Sequence, residues 1–317
     1  MQATPLAEWL YEAGIGENRA ALVARGTIRK ARIELPGLRA DTIAIARLID
    51  RSTGKVALPD GGEALCDPLP KGITQGASFP VRIVREAVAE RGRVKLPKAV
   101  PAPDTAPAPG PDLLARITAT GLPVRHCHPH EPDALEEAGW SEVLEEARTG
   151  EIRFASGALL LSLTPAMNLF DVDGGPPLGP LSIDAAHAVA AAMERLDIAG
   201  SVGVDFPTLA NKHERNAVGE AIDAALPQPF ERTAMNGFGF LQIVRRKTRM
   251  SLPELIAADP VGAALRAELR RLERLPPPAP DTHILPAPLL RRIEREPDWI
   301  AQLHRRTGGR TRFVDVT

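Results

Sequence analysis

The distribution of apolar and polar positions divides the chain into stretches of different character. Residues 6–35 alternate apolar with charged or polar residues, and Gly26 separates two of the runs. This alternation predicts strands, and a glycine between two such runs predicts a hairpin turn. Residues 39–98 contain short apolar runs divided by Gly, Pro and Asp: TIAIARLI, KVALP, EALC, FPVRIVREA and RVKLP. Five strands with turns at this spacing predict a small barrel.

Proline and alanine dominate residues 97–111, and this composition predicts a linker. Beyond it, helical periodicity alternates with short apolar runs, which predicts a mixed α/β (α+β) fold. The predicted elements are a hairpin from ALLLSL and MNLFDVD, a helix from SIDAAHAVAAAMERLD, a parallel strand from SVGVDF, a helix from NKHERNAVGEAIDAAL and a strand from GFGFLQIVRRKTRM. Ser251 and Glu254 form a capping box, which predicts a helix that reaches about Leu275.

Aspartates lie at the ends of two predicted strands. Asp171 and Asp173 are two residues apart in MNLFDVDG, so their side chains point to one face. Asp205 ends the next strand, and one helix joins both strands into a βαβ unit, with parallel strands about 4.8 Å apart. Carboxylates that converge in this way repel one another unless a cation lies between them. Oxygen ligands without nearby His or Cys favour Mg²⁺ or Mn²⁺ over zinc, so the sequence predicts a magnesium site.

Composition narrows the choice of partners. The 317 residues carry a formal net charge of −1, so binding of a polyanion depends on local patches. Phe79 is the only aromatic residue in the predicted barrel, which therefore lacks the stacking face of a strong nucleic-acid binder.

Cys66 and Cys127 lie in unrelated contexts, which indicates a reducing compartment. The longest apolar run, residues 158–163, is too short to cross a bilayer, and the N-terminus lacks a basic start. We therefore expect a cytoplasmic protein without a membrane partner.

A histidine-rich run, HCHPH at residues 126–130, has the composition of a metal cluster. Zinc needs four ligands in a defined geometry. Pro129 interrupts the alternation, and no second cluster follows downstream. We therefore expect a strand edge with exposed histidines.

The order of these pieces resembles the ribonuclease E/G family of bacterial endoribonucleases. The resemblance is closest over residues 152–252. There TPAMNLFDVDG is similar to the strand bearing the family's first metal-binding aspartate, GSVGVDFPTL to the strand bearing the second, and FERTAMNGFGFLQIVRRKTR to the strand after the catalytic core. Weaker likeness covers residues 8–35 and the stretches FPVRIVREAVAERGRVKLP, GWSEVLEEARTGEIRF and PDWIAQLHRRTGGRTRFVDV.

This resemblance implies an RNase H-like subdomain with an inserted OB-type barrel, followed by a DNase I-like catalytic subdomain. The implied boundaries are residues 1–38 and 111–155 for the RNase H-like subdomain, 39–98 for the OB-type RNA-binding module, 99–110 for the Pro-Ala linker, 156–250 for the DNase I-like subdomain and 251–317 for a C-terminal helical and small segment.

The resemblance also implies an activity, the Mg²⁺-dependent cleavage of single-stranded RNA by an activated water, with Mn²⁺ as a substitute. Asp171 and Asp205 match the family's metal ligands. Asp173 stands where the family usually has asparagine, and it would orient the metal or its water. The basic residues after the last strand would contact the phosphates of the RNA: Arg245, Arg246, Lys247 and Arg249.

Departures from the family favour an alternative, an RNA-binding protein that keeps the fold and lacks turnover. The Pro-Ala linker occupies the place of the family's sensor for a 5′-monophosphate, so we expect binding and cleavage to be indifferent to the 5′ end. The paired-cysteine zinc link after the catalytic strand is missing, so a zinc-linked dimer is not expected. Gly237 replaces the family's basic residue before the first Phe of the last strand motif.

The segment LFDVDG also resembles the phosphoaspartyl motif of the haloacid-dehalogenase phosphatases. In that interpretation Asp171 is the nucleophile and Asp173 the general acid. Gly175 stands where those phosphatases have Thr or Ser, and no Lys followed by an acidic pair lies at suitable spacing downstream. The ribonuclease resemblance is therefore the stronger interpretation.

Overall fold

The computed structural model describes residues 7–90, 93–276 and 278–315, and these form a mixed α/β structure with a closed barrel. The strands, in chain order, are β1 (Ala7–Ala13), β2 (Asn18–Ala24), β3 (Thr27–Glu34), β4 (Ile43–Asp50), β5 (Lys55–Ala57), β6 (Glu63–Cys66), β7 (Ser78–Arg85), β8 (Val88–Glu90), β9 (Arg93–Lys95), β10 (Lys98–Pro101), β11 (Val124–His126), β12 (Glu151–Phe154), β13 (Gly157–Leu163), β14 (Asn168–Gly174), β15 (Gly200–Asp205), β16 (Glu231–Arg232), β17 (Phe240–Arg245), β18 (Thr282–Leu285) and β19 (Arg312–Asp315). The helices are α1 (Leu113–Thr118), α2 (Ala134–Glu137), α3 (Trp140–Thr149), α4 (Leu178–Arg195), α5 (Lys212–Ala225), α6 (Leu252–Ala258), α7 (Pro260–Glu273), α8 (Ala287–Ile293) and α9 (Pro297–Thr307).

The first sheet has the strand order β11-β1-β2-β3. Strands β1, β2 and β3 pair antiparallel in succession, and β11 joins β1 in parallel. Arg25 and Gly26, with φ angles of 53° and 75°, make the turn between β2 and β3. This turn confirms the hairpin that the sequence predicts at Gly26. The barrel is inserted in the chain between β3 and β11, so the first sheet is assembled from two separate segments.

The barrel has five strands in the closed order β10-β6-β5-β4-β7. Closure results from β10, which pairs in parallel with β6 and antiparallel with β7. Small and β-branched side chains such as Ala64, Val56 and Val81 fill the interior and are fully buried. Because both neighbours of β10 are already barrel strands, the sheet has no free edge.

The fifth barrel strand differs from the prediction. The run RVKLP supplies β9, which pairs with β8 in a separate hairpin. The barrel is closed instead by β10, whose Ala99 is buried against the barrel core and whose last residue is Pro101. A proline is tolerated at a strand end, where its missing N–H interrupts no ladder. The segment predicted as a Pro-Ala linker, residues 99–110, therefore begins as a barrel strand.

The rest of this Pro-Ala segment returns along the start of β4. Ile43 and Ala108 exchange two backbone hydrogen bonds, with N···O distances of 2.9 and 3.1 Å. The backbone nitrogen of Gly110 then donates to the hydroxyl of Thr42 over 2.9 Å. The chain thus enters and leaves the barrel at one place.

The second sheet has the order β12-β13-β14-β15-β17-β16. Strands β13 and β14 form the predicted antiparallel hairpin, and β14 and β15 the predicted parallel pair. Helix α4 joins this pair and contacts β3 of the first sheet as well as β12, β13 and β14. One apolar core therefore includes both sheets, with Leu10 and Ala31 from the first, Phe170 and Val204 from the second, and Met193 from α4. The other face of the second sheet carries exposed residues.

The C-terminal segment contains two helices where the sequence predicts one. Ser251 and Glu254 form the expected capping box at the start of α6. The helix stops at Asp259, because Pro260 has no backbone N–H and clashes with the preceding turn. The Asp259 carboxylate then accepts a hydrogen bond from the backbone nitrogen of Gly262 and caps α7. The prediction of one continuous helix to about Leu275 is wrong.

Buried ion pairs dock α7 onto the first sheet. The Glu12 carboxylate accepts hydrogen bonds from Arg19, from Nε of Arg270 at 2.9 Å and from Nη2 of Arg274 at 2.6 Å. Burial alone would raise the pKa of Glu12, but the guanidinium groups of Arg19 and Arg270 outweigh it and hold the pKa below its ordinary value. Arg270 also donates to Asp133. This cluster fixes the C-terminal segment against residues from two other parts of the chain.

Across the three described ranges, no helix combines the length and the apolar composition that a membrane span requires.

Candidate active site

Asp171 and Asp205 lie side by side on the open face of the second sheet. They are register partners in the parallel pairing of β14 with β15. Phe170, Val172 and Val204 flank them in sequence and are buried, so alternation along the strands turns both carboxylates to the exposed face. Neighbouring strands are about 4.8 Å apart, which places the two side chains within reach of one ion.

Asp173 lies further along the same strand. It faces Ala158 of β13, whereas β15 ends at Asp205 and offers it no partner on the other side. Two residues of strand correspond to about 6.6 Å, so Asp173 stands beyond the Asp171–Asp205 pair. The structure brings together a pair rather than a trio, because β14 extends past the end of β15.

The carboxylate pair has the chemistry of a divalent-cation site. Across the described ranges, no ion pair or side-chain hydrogen bond joins Asp171, Asp173 or Asp205 to another residue. Two unit charges about 5 Å apart repel by roughly 0.8 kcal/mol in water, which a shared cation would offset. No set of three His, Cys, Asp or Glu side chains suited to one metal occurs in these ranges. Two carboxylates alone would leave most positions around an ion such as Mg²⁺ to water.

An apolar surface adjoins the carboxylates. Phe240 is the register partner of Asp205 on β17. Its ring lies over Gly203, where a Cβ atom would come within 2.7 Å of the ring, and Met167 approaches the same position. A side chain at Gly203 would displace both residues. The glycine therefore keeps the sheet face flat beside Asp205.

The loop before β17 projects a second aromatic ring at the same end of the sheet. Phe238 is 85% exposed. The Asn236 side chain accepts hydrogen bonds from the backbone nitrogens of Phe238 and Phe240, at 2.9 and 3.0 Å. Gly239 has a φ of +99° and its carbonyl accepts from the Phe206 nitrogen at 3.1 Å. These bonds tie the loop to the residue that follows Asp205.

Helix α5 begins at the carboxylate end of the sheet with a lysine and a histidine. The helix begins shortly after Asp205, with Asn211 as its cap and Lys212 and His213 in its first turn. The Asn211 side chain accepts a hydrogen bond from the Glu214 backbone nitrogen at 2.8 Å and so caps the helix. Lys212 and His213 are both exposed. Sequence reasoning did not select them, because only the register of β14 with β15 shows which strand ends they adjoin.

The predicted RNA-binding residues lie at the opposite end of the sheet. Arg245 pairs with Gly200 at the start of β15, whereas Phe240 pairs with Asp205 at its end. The five intervening steps separate Arg245 from the carboxylate row by about 17 Å, at ~3.4 Å per residue. Arg245 and the carboxylates could therefore contact one RNA only through phosphates that are several nucleotides apart.

Most of these cations already have carboxylate partners. Arg245 donates to Glu194 at 2.7 Å, Lys247 pairs with Glu254, and Arg249 lies 3.8 Å from Asp197. Burial alone would raise the pKa of Glu194, but hydrogen bonds from Lys30 and Arg245 outweigh it and hold the pKa below its ordinary value. Arg246 is exposed. The free charge that this cluster offers to RNA is smaller than its sequence indicates.

A cleft of about 750 Å³ adjoins the basic cluster. Lys247, Gly200 and Asn168 line it from the second sheet, and Lys95 lines it from the hairpin next to the barrel. The cleft lies at the amino ends of β14 and β15, away from Asp205. The cleft is therefore distinct from the carboxylate pair.

The histidine-rich run lies at the edge of the first sheet, as predicted. His126 ends β11, which is an edge strand, and His128 and His130 are also exposed. The rings of His128 and His130 stack with their centroids 5.6 Å apart. Cys127 is buried, and burial raises the pKa of its thiol. The run therefore has no shared inward face for a metal.

Comparison with known proteins finds relatives that share one name, Ribonuclease G. No protein-family model matches the chain. The chain is 25% identical to Ribonuclease G of Salmonella typhimurium over 166 residues, which cover 47% of this chain and 34% of that protein. It is also 25% identical to Ribonuclease G of Escherichia coli over 117 residues and of Haemophilus influenzae over 134 residues, or 33% and 38% of this chain. These matches support a relationship to the ribonuclease E/G family.

The matched regions are partial on both sides. They span between about a quarter and a third of the length of these Ribonuclease G proteins. The activity of this chain is therefore a matter for proposal. The cation, the substrate and the roles of single residues belong to the proposal below.

Proposed function

We propose that this chain is a Mg²⁺-dependent endoribonuclease that cleaves single-stranded RNA on the open face of the second sheet. The observation that carries the proposal is the register pairing of Asp171 with Asp205, two exposed carboxylates on neighbouring strands. The similarity to proteins named Ribonuclease G supports RNA as the substrate. Mn²⁺ would serve in place of Mg²⁺, because it shares the preference for oxygen ligands.

Asp171 and Asp205 would hold the cation, which supplies an acidified water and offsets charge at the scissile phosphate. Asp173 lies about 6.6 Å further along β14 and would accept a hydrogen bond from the attacking water, which orients it. Phe240 and Met167 lie over Gly203 on the same face, two residues before Asp205. Asp171 and Asp205 would thus bind the cation, and Asp173 would position the water.

We assign the subdomains of the ribonuclease E/G family to three parts of the structure. The first sheet, with its order β11-β1-β2-β3, corresponds to the RNase H-like subdomain, and the five-stranded barrel to the inserted OB-type module. The second sheet corresponds to the DNase I-like catalytic subdomain. The segment that the family uses to sense a 5′-monophosphate is here taken up by β10 and by the return of the chain along β4. Cleavage should therefore be indifferent to the 5′ end of the RNA.

The first experiment compares Asp171→Asn and Asp205→Asn with the wild type on an unstructured fluorescent oligoribonucleotide. We expect a loss of at least 100-fold in the Mg²⁺-dependent rate, because placement of the water depends on both ligands. Asp281→Asn is the matched control, since Asp281 is an exposed aspartate far from β14 in sequence. Undiminished cleavage by either active-site variant would refute the proposal.

A second candidate function is RNA binding without turnover. It is favoured by the departures from the family pattern, among them Gly237 in place of the family's basic residue. Metal-insensitive RNA binding, with no cleavage at high protein concentration, would establish this alternative. Multiple turnover on the oligoribonucleotide would exclude it.

Salt dependence can map the cations that bind RNA phosphates. For single-stranded RNA the slope of log K against log salt changes by about 0.7 for each phosphate that a variant no longer neutralises. We expect that change for Lys212→Ala, at the carboxylate end, and for Arg246→Ala, in the basic cluster. A change with Arg246→Ala alone would place the RNA at the amino ends of the strands.

A further inference from the structure

Phe238 is the most exposed large apolar side chain among the described residues. Its 85% exposure exceeds the 65% of Ile284 and the 63% of Val94. Burial of a phenylalanine is normally favourable, so a ring left in water at this level requires another explanation. Its neighbours in the chain, Gly237 and Gly239, have no side chains that could cover it.

The exposed position is built by the loop rather than left by a loose chain end. Asn236 accepts hydrogen bonds from the backbone on both sides of Gly239, and Thr208 donates to the Phe238 carbonyl at 3.4 Å. A Cβ atom at Gly239 would come within 2.1 Å of the Phe206 carbonyl oxygen, and its φ of +99° is in the region that favours glycine. The backbone that carries the ring is therefore fixed.

A backbone hydrogen bond ties the loop of Phe238 to the end of β15, where Asp205 lies. The Phe206 nitrogen, one residue after Asp205, donates to the carbonyl that follows Phe238. An aromatic ring at this place can bind a base of an RNA by stacking, which needs no positive charge on the protein. That matters because the sheet face carries three aspartates, which repel the phosphate backbone, and the net charge of the chain is −1.

We propose that Phe238 is the base-stacking residue for a nucleotide adjacent to the scissile phosphate of single-stranded RNA. This inference rests on the proposed endoribonuclease function and identifies a side chain that binds its substrate. A nucleobase needs only one planar face, and aromatic stacking provides it for any base. A protein partner would need a wider apolar surface, whereas the ring is flanked by glycines and by the polar Asn236 and Thr208.

The stacking role predicts a defined specificity. Phenylalanine has no hydrogen-bonding group, so the position next to the cut accepts all four bases. Purines, which stack more strongly, should bind more tightly than pyrimidines at that position. A requirement for one particular base would contradict the role of Phe238.

The experiment measures binding of a fluorescent single-stranded oligoribonucleotide in EDTA, followed by its cleavage in Mg²⁺. Alanine replacement of a stacking aromatic costs about 5- to 150-fold in affinity. We expect such a loss for Phe238→Ala, recovery in Phe238→Trp, and no change for Ile284→Ala as the matched exposed control. Because the ring is exposed, its removal leaves the core intact.

Abasic substitution separates stacking from an indirect effect. A single abasic nucleotide next to the cut should weaken binding by wild type about 10-fold and binding by Phe238→Ala by less than twofold. Full sensitivity of Phe238→Ala to the abasic position, or an affinity within twofold of wild type, would overturn this inference while RNA cleavage by wild type still supports the proposed function. A wild type that neither binds nor cleaves RNA would overturn both.

Discussion

Asp173→Asn tests the distinction between the binding pair and the positioning residue. Asparagine keeps one side-chain oxygen that can orient a water, and it removes one negative charge. A phosphate beside Asp171 and Asp205 lies about 6.6 Å from Asp173, so the repulsion that the substitution removes is roughly 0.6 kcal/mol in water. At 0.1 M salt, where the Debye length is about 10 Å, about half of this remains. We therefore expect RNA affinity to rise about twofold at that salt concentration and about threefold at low salt.

The assay titrates a fluorescent single-stranded RNA with each protein in EDTA at several salt concentrations. The gain for Asp173→Asn should vanish near 1 M salt, where the Debye length is about 3 Å. Single-turnover cleavage in Mg²⁺ should stay within tenfold of wild type, because the orienting oxygen is retained. Asp281→Asn again provides the control for removal of an exposed aspartate.

Two results would refute this reasoning. A loss of cleavage as large as that of Asp171→Asn, with a shift in Mg²⁺ dependence, would make Asp173 a third metal ligand. A gain in affinity that persists at high salt would show that the effect is not electrostatic.

Three further predictions concern other parts of the molecule. Gly237→Lys, where an added Cβ meets nothing within 4 Å, should raise RNA affinity and steepen the salt slope by about 0.7; an unchanged slope would contradict it. Glu12→Gln should lower the free energy of unfolding in urea by about 3–5 kcal/mol, because it leaves buried guanidiniums uncompensated; a loss below about 1 kcal/mol would refute it. Burial raises the pKa of Cys66 from 9.0 to about 11, so the native protein should resist iodoacetamide at pH 8. The free energy of unfolding should fall as the pH rises from 9 to 11, because the thiol of the unfolded chain ionises first.

The local part of the fold could be predicted from the sequence. Alternation identified β1 to β3, and the capping box of Ser251 with Glu254 marked the start of α6. The apolar runs that end on Asp171 and Asp205 identified β14 and β15, because such runs are typical of buried parallel strands. These signals depend only on residues near one another in the chain.

The remainder depends on contacts between distant residues. Nothing local distinguishes the strand that closes the barrel, since Ala99 and Pro101 have poor strand propensity and are held by β6 and β7. The four basic residues after β17 appear as one patch in the sequence, yet Glu194 and Glu254 come from α4 and α6 to pair with two of them. The exposure of Phe238 likewise depends on the fold of its loop.

The chain enters and leaves the barrel at one place, and this affects how the sequence of such a protein can evolve. Ile43 and Ala108 are backbone partners, so the two ends of the insertion lie about one strand spacing apart. A short turn between them could replace the whole barrel without moving β3 or α1. The barrel is in this sense an exchangeable cassette, and the carboxylate face is carried by a separate sheet. Selection can therefore alter the barrel while the sheet that carries Asp171 and Asp205 stays as it is.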